Sequence, residues 1–219
     1  MKTMLKVLSL AALLAASAPL AMATSIIVGQ TVTPGLESGS FSTLNDTGSI
    51  PFSFPGSGVD MGHIEELVGN FSGNPFAGGL TFIYMFDVTS GDVSQLTTAS
   101  FAGFLTDVGE AADSTFFPTF THPSNDAPEN AVRTSNSTID FNFDPAVLPG
   151  DTSYVLIVNT NATQYDFNGV MGLEDTGNSP NFNAFEPTIA PAVPEPSSLV
   201  LLGTGVLGIA GAVRRRFSI

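Results

Sequence analysis

Leu80-Thr81-Phe82-Ile83-Tyr84-Met85-Phe86-Asp87-Val88 is the stretch on which the fold turns. Aromatic and β-branched side chains lose rotamer freedom in a helix and pack well on a pleated surface, so the run reads as a strand. Tyr154-Val155-Leu156-Ile157-Val158 repeats the signal and, being almost continuously apolar, reads as a central strand. Thr138-Ile139-Asp140-Phe141-Asn142-Phe143-Asp144 alternates strictly, sending Ile139, Phe141 and Phe143 to one face and Asp140, Asn142 and Asp144 to the other.

Outward from these runs lie weaker strand patterns. Ser25–Val28 and His63–Phe71 are extended in character, Val93–Phe104 holds one or two strands, and Tyr165–Leu173 and Phe182–Ile189 supply the rest. Ile50–Phe54 is flanked and interrupted by Pro51 and Pro55, which confines it to an edge. Leu148–Ser153, with its Pro-Gly-Asp core, is a tight turn, and Phe120–Arg133 is a long polar loop. No segment between the chain ends sustains a capped helical period. Many short strands with Gly/Pro punctuation predict an all-β fold: an antiparallel β-sandwich, jelly-roll or immunoglobulin-like, over residues 24–186.

The two ends carry different chemistry. Lys2 and Lys6 precede an apolar Val7–Leu20, and Ala21-Met22-Ala23 supplies small residues at the positions a signal peptidase reads through Ala21 and Ala23. Residues 1–23 are therefore expected to be a cleaved signal peptide. Near the C-terminus, residues 187–193 form a Pro-containing linker to Pro194-Glu195-Pro196. An apolar transmembrane helix is expected over residues 197–213, about 25 Å long at 1.5 Å per residue. Arg214, Arg215 and Arg216 act as a stop-transfer group that holds the stub on the cytoplasmic side. Gly203-Thr204-Gly205-Val206-Leu207-Gly208 matches a dinucleotide-binding pattern but lacks the strand before it and the acidic residue after it.

Residues 194–219 resemble the PEP-CTERM sorting domain of Gram-negative bacteria: Pro194-Glu195-Pro196, a Gly-rich apolar segment and a terminal Arg cluster, in that order. The resemblance implies an exosortase as processing partner, with Pro194, Glu195 and Pro196 as recognition residues and the apolar segment as a transient inner-membrane anchor. It also implies delivery to the cell surface or medium of a bacterium that makes exopolysaccharide and biofilm matrix.

Between Thr24 and Pro196, twenty carboxylates face one guanidinium, Arg133, a formal charge of −19. Such a body cannot neutralise phosphates, which excludes nucleic acid as a partner and argues against binding to anionic lipid. There is no cysteine, so an exported domain must hold together without disulfides. His63 and His122 stand in no recognisable triad or zinc spacing. The acid pairs Glu65–Glu66, Asp107–Glu110 and Glu174–Asp175 are the only basis for a glycosidase reading, the least favoured one. Calcium is the one cofactor left open, through Asp140, Asn142 and Asp144 on one strand face, although Pro145 stands where an EF-hand loop needs glycine, and through Asp107, Glu110 and Asp113 in a loop. The expectation is a non-enzymatic exported surface or matrix protein associated with exopolysaccharide, with a carbohydrate- or calcium-binding module as the alternative.

Overall fold

The computed structural model describes residues 25–189, apart from 57, 99, 113–115, 118–119 and 121–123. The expected signal peptide, the linker beyond residue 189, the sorting motif and the transmembrane helix lie outside these residues. Fifteen strands and no α-helix are found among the described residues: β1 (Thr31–Val32), β2 (Gly35–Leu36), β3 (Phe41–Asp46), β4 (Ile50–Pro55), β5 (Val59–Phe71), β6 (Thr81–Ser90), β7 (Val93–Thr98), β8 (Thr106–Ala111), β9 (Ser124–Asp126), β10 (Asn130–Val132), β11 (Ile139–Val147), β12 (Thr152–Ser153), β13 (Val155–Thr160), β14 (Gln164–Glu174) and β15 (Asn181–Thr188).

They form two sheets. The smaller runs β1-β10-β11-β7-β14-β15, every neighbour antiparallel. In the larger, β6 lies between β5 and the β12–β13 segment, β8 pairs β13, and β3 and β4 both pair β5. Two short pairings are parallel, β2 with β8 and β12 with β9.

One apolar cluster takes side chains from both sheets, which fixes them face to face: Phe82, Tyr84 and Phe86 of β6 meet Leu96 of β7, Phe141 of β11 and Met171 of β14. Phe86 and Phe143 make an edge-on ring contact across the gap at 5.4 Å. A second cluster lies on the other face of the larger sheet, where Ile83, Met85, Val155 and Ile157 are covered by Phe117 and Phe120. The central strands are thus buried on both faces, which is why their sequences run apolar without alternation. In β11 the outward positions become less buried along the strand, ending at the exposed Asp144.

Several local expectations change. Ser25–Val28 is not a strand: Ile26 is buried and its N–H donates to Thr106 O at 2.8 Å, while the chain turns at Ile27–Gln30. Asp107 and Glu110, expected in a loop, lie on β8, whose length the polar residues and Gly109 conceal. The polar stretch 120–133 contains the short strands β9 and β10. Ile50–Pro55 takes the expected edge position, pairing β5 alone.

Arg133, the single basic residue of the body, is buried and turned to main-chain oxygens. Its guanidinium donates to Ile26 O and Phe101 O at 3.2 Å, Asn136 O at 2.7 Å and Thr106 Oγ1 at 2.6 Å. It clamps the N-terminal segment to the β7–β8 and β10–β11 connections, and burial lowers its pKa.

Candidate functional site

Of the residues singled out from the sequence, Ala21, Ala23, Asp113, His122, Pro194–Pro196 and Arg214–Arg216 lie outside the described residues. His63 sits on β5, where its N–H donates to Asp87 Oδ1 at 2.7 Å and its ring Nδ1 stands 3.2 Å from the same oxygen. Asp140 and Asn142 follow one another along β11, about 7 Å apart for alternate strand residues. The Asn142 amide joins a cross-strand ladder: its nitrogen donates to Asn130 Oδ1 at 2.8 Å and its oxygen accepts from Gln95 Nε2 at 3.1 Å. Asp144 is exposed and Asp140 is buried.

The acid pairs are divided by strand geometry. Neighbouring residues on a strand point to opposite faces, and so do residues three apart. Glu66 enters the core between the sheets while Glu65 is buried on the other face. Asp107 lies opposite Asn159 on the outer face, whereas Glu110 lies opposite the inward Leu156. Glu174 ends β14, and Asp175 begins the turn that follows.

Three carboxyl arrangements that sequence spacing cannot reveal are brought together by the fold. In the first, Glu66 is fully buried and its Oε2 accepts the Phe185 N–H at 2.6 Å. Burial pushes its pKa from the usual 4.5 to about 8. Beside it the Tyr84 hydroxyl accepts from Thr98 Oγ1 at 2.8 Å.

In the second, Asn159 Nδ2 donates to Glu37 Oε1 at 3.0 Å and lies 3.5 Å from Asp107 Oδ2. Burial lifts Glu37 to about 7, with the Asp107 charge adding a smaller push. A Cβ at Gly109 would strike the Glu37 carboxylate, so the glycine makes room for it.

In the third, Asp60, Asp92 and Asp175 converge at one end of the molecule, each offering a carboxylate oxygen within 4.8 Å of the others. Asp60 comes from the start of β5 and lies opposite Phe54, a core residue. Asp92 comes from the turn between β6 of the larger sheet and β7 of the smaller. Asp175 opens the β14–β15 turn, exchanging main-chain hydrogen bonds with Asn178 at 3.2 and 2.9 Å. Thr176 and Gly177 in that turn have φ of +46° and +84°. Only the last of these three acids appears in a pair suggested by the sequence; Asp60 and Asp92 carry no local signature, because 115 residues separate Asp60 from Asp175.

The family model of the PEP-CTERM protein-sorting motif matches residues 192–216. The chain therefore carries an export and sorting signal consistent with an exosortase substrate. No curated protein and no solved structure matches the chain. Among the described residues no helix is long and apolar enough to cross a membrane.

Proposed function

From the sorting motif at residues 192–216 as premise, we propose that the chain is a non-enzymatic structural protein of the bacterial exterior, released or transferred at its Pro194-Glu195-Pro196 signal and held among exopolysaccharide or biofilm matrix. The motif match is the observation that carries the reading. Three features of the body support it. The acid pairs suggested by the sequence lie on opposite strand faces or at a strand end, away from a common cleft. Glu66, whose pKa burial raises to about 8, faces the core between the sheets. The surface is acidic and contains no lysine, which suits a protein kept soluble outside the cell.

Deleting Pro194–Pro196 tests the sorting step. The expected result is a body stranded at the inner membrane; normal surface delivery of the deleted chain would overturn the reading. The intact mass of the exported protein adds a second measurement. A species running from near Thr24 to near Pro194–Ser198 is expected, whereas one retaining Arg214–Arg216 would make the apolar segment a permanent anchor. The structural role is tested by a glycan-cleavage screen on the host's own polysaccharide, in which no turnover is expected.

A further inference from the structure

We propose that Asp60, Asp92 and Asp175 bind one calcium ion that ties the two sheets together at one end of the sandwich. The proposal does not depend on the sorting reading, since it concerns the body alone.

The first observation is convergence. Two oxygens on one calcium, each about 2.4 Å from it, stand at most about 5 Å apart. The three carboxylate oxygens all lie within 4.8 Å of one another, a span that one ion fits. Asp60 and Asp175 are buried and Asp92 is partly open, leaving a way in for water to complete the six to eight oxygens that calcium takes.

The second observation is independent of the charge cluster. Asp60 is completely buried, and its Oδ2 has no hydrogen-bond partner; its Oδ1 accepts the Asp92 N–H at 3.2 Å. A buried carboxylate oxygen without a partner is expensive, so such an atom points to a ligand. The neighbouring backbone shows where Oδ2 is aimed. A Cβ built on Gly56 would collide with Asp60 Oδ2 and stand 2.5 Å from Asp175 Oδ2, so both oxygens close over the same glycine. Gly91, with φ +72°, leaves space on the other side, where a Cβ would strike the Asp60 carboxylate. Two glycines thus line a cradle that three acids fill.

The third consideration is what else could offset the charge. Arg133 is the only lysine or arginine among the described residues, and its hydrogen bonds to Ile26, Phe101, Thr106 and Asn136 place it at a different set of turns. Hard carboxylate donors without histidine or cysteine select calcium or magnesium over softer metals. Calcium is favoured because three acids from a strand start and two turns give an irregular site, whereas magnesium demands near-octahedral order.

The location gives the ion a role. Asp60 belongs to the larger sheet, Asp175 directly follows the last residue of a smaller-sheet strand, and Asp92 sits where the chain crosses between them. In an exported chain with no cysteine, an ion here would do the work that a disulfide does elsewhere.

The test is thermal unfolding of the full chain in mild detergent, chelated and then supplied with calcium at about a hundred times its Kd, where a rise in Tm of roughly 5–10 °C is expected for a domain of this size. Isothermal titration of the same preparation with calcium should give one site per chain. Asp60→Asn and Asp175→Asn should each abolish at least nine-tenths of the Tm response, while the double variant Asp140→Asn/Asp144→Asn should keep it. Should Asp60→Asn fail to fold, the titration and the Asp175→Asn variant still decide the matter. No calcium heat and no Tm shift in the unaltered chain, with Asp60→Asn more stable than the parent, would mean that the acids share a proton instead, and would overturn the proposal. A response equal or larger with magnesium, or one that survives both single variants, would overturn it as well.

Discussion

The two sheets are built from the same strand chemistry but are covered differently, and the difference is written into their sequences. In the larger sheet β6 is buried from Thr81 to Val88 and β13 from Val155 to Thr160, with no exposed position to interrupt either run. Its inner face meets the smaller sheet and its outer face meets Phe117 and Phe120 of the β8–β9 connection. The smaller sheet has no such cover among the described residues: β14 has exposed residues at Gln164, Phe167, Asn168 and Val170 and a buried series from Met171. A strand buried on both faces has nothing to gain from alternation, and one with a wet face cannot do without it.

The largest effects are expected on the inner face of the larger sheet. Phe86 is fully buried and meets Phe143 of the opposite sheet, so Phe86→Ala should cost about 3–5 kcal/mol in denaturant unfolding. The sharper test concerns the outer face. Ile157 is 1% exposed beneath the β8–β9 connection, and Ile157→Ala should cost about 2–4 kcal/mol if that connection completes a second core. A cost under 1 kcal/mol would break the comparison, because the larger sheet would then have one working face like the smaller.

Arg133→Ala comes next. Its guanidinium satisfies carbonyls in the N-terminal segment and in two strand connections, and truncation strands several of them away from water. A loss of about 2–4 kcal/mol is expected, since each buried acceptor left without a partner costs about 1–3 kcal/mol and the site can take up some water. Arg133→Lys should recover only part of it, because an ammonium lacks the planar fork that reaches these acceptors together. Full recovery by lysine would reduce the clamp to a point charge.

How much of this was legible depended on the range of the signal. The apolar runs at 80–88 and 154–158 identified the central strands because period and residue type are local properties. The pattern at Phe141 and Asn142 identified a sheet with two unlike faces in the same way. Strand β8 was missed because Thr106-Asp107-Val108-Gly109-Glu110-Ala111 lacks a run of β-formers; its partner β13 holds it in extended form. The Asp60–Asp92–Asp175 cluster was invisible for a related reason. Each acid is unremarkable in its own segment, and only the crossing of β6 into β7 and the pairing of β14 with β15 bring them to one end. The sorting signal is the opposite case: its three parts are contiguous, so sequence alone discloses it.

Glu66 supplies a pH test that separates the core between the sheets from the wet surface. Its pKa is about 8 in the fold against 4.5 for an ordinary glutamate, so the folded chain binds the extra proton. This stabilisation is complete below pH 4.5 and is lost as the pH rises through 8. The slope can reach about 1.4 kcal/mol per pH unit inside that window and flattens above it. Glu66→Gln should remove this component, leaving a variant that is more stable than the parent at pH 8 and less changed at pH 5. Equal pH profiles for parent and variant would show that the Glu66 carboxyl is solvated after all, and that the core between the sheets is not dry at that point.

The smallest effect belongs to the polar face of the smaller sheet. Asn142 links Asn130 and Gln95 across three strands, but the ladder lies at a surface where water can replace each bond. Asn142→Ala should therefore cost only about 0.5–1.5 kcal/mol, the net worth of ordinary hydrogen bonds. The substitution also bears on the calcium question, because Asn142 stands between Asp140 and Asp144 in the cation pattern read from the sequence. If calcium binds at the turns instead, Asn142→Ala lowers Tm by the same small amount with and without the ion. A loss confined to the calcium-loaded chain would move the binding site to β11 and make the wet face of the smaller sheet its functional surface.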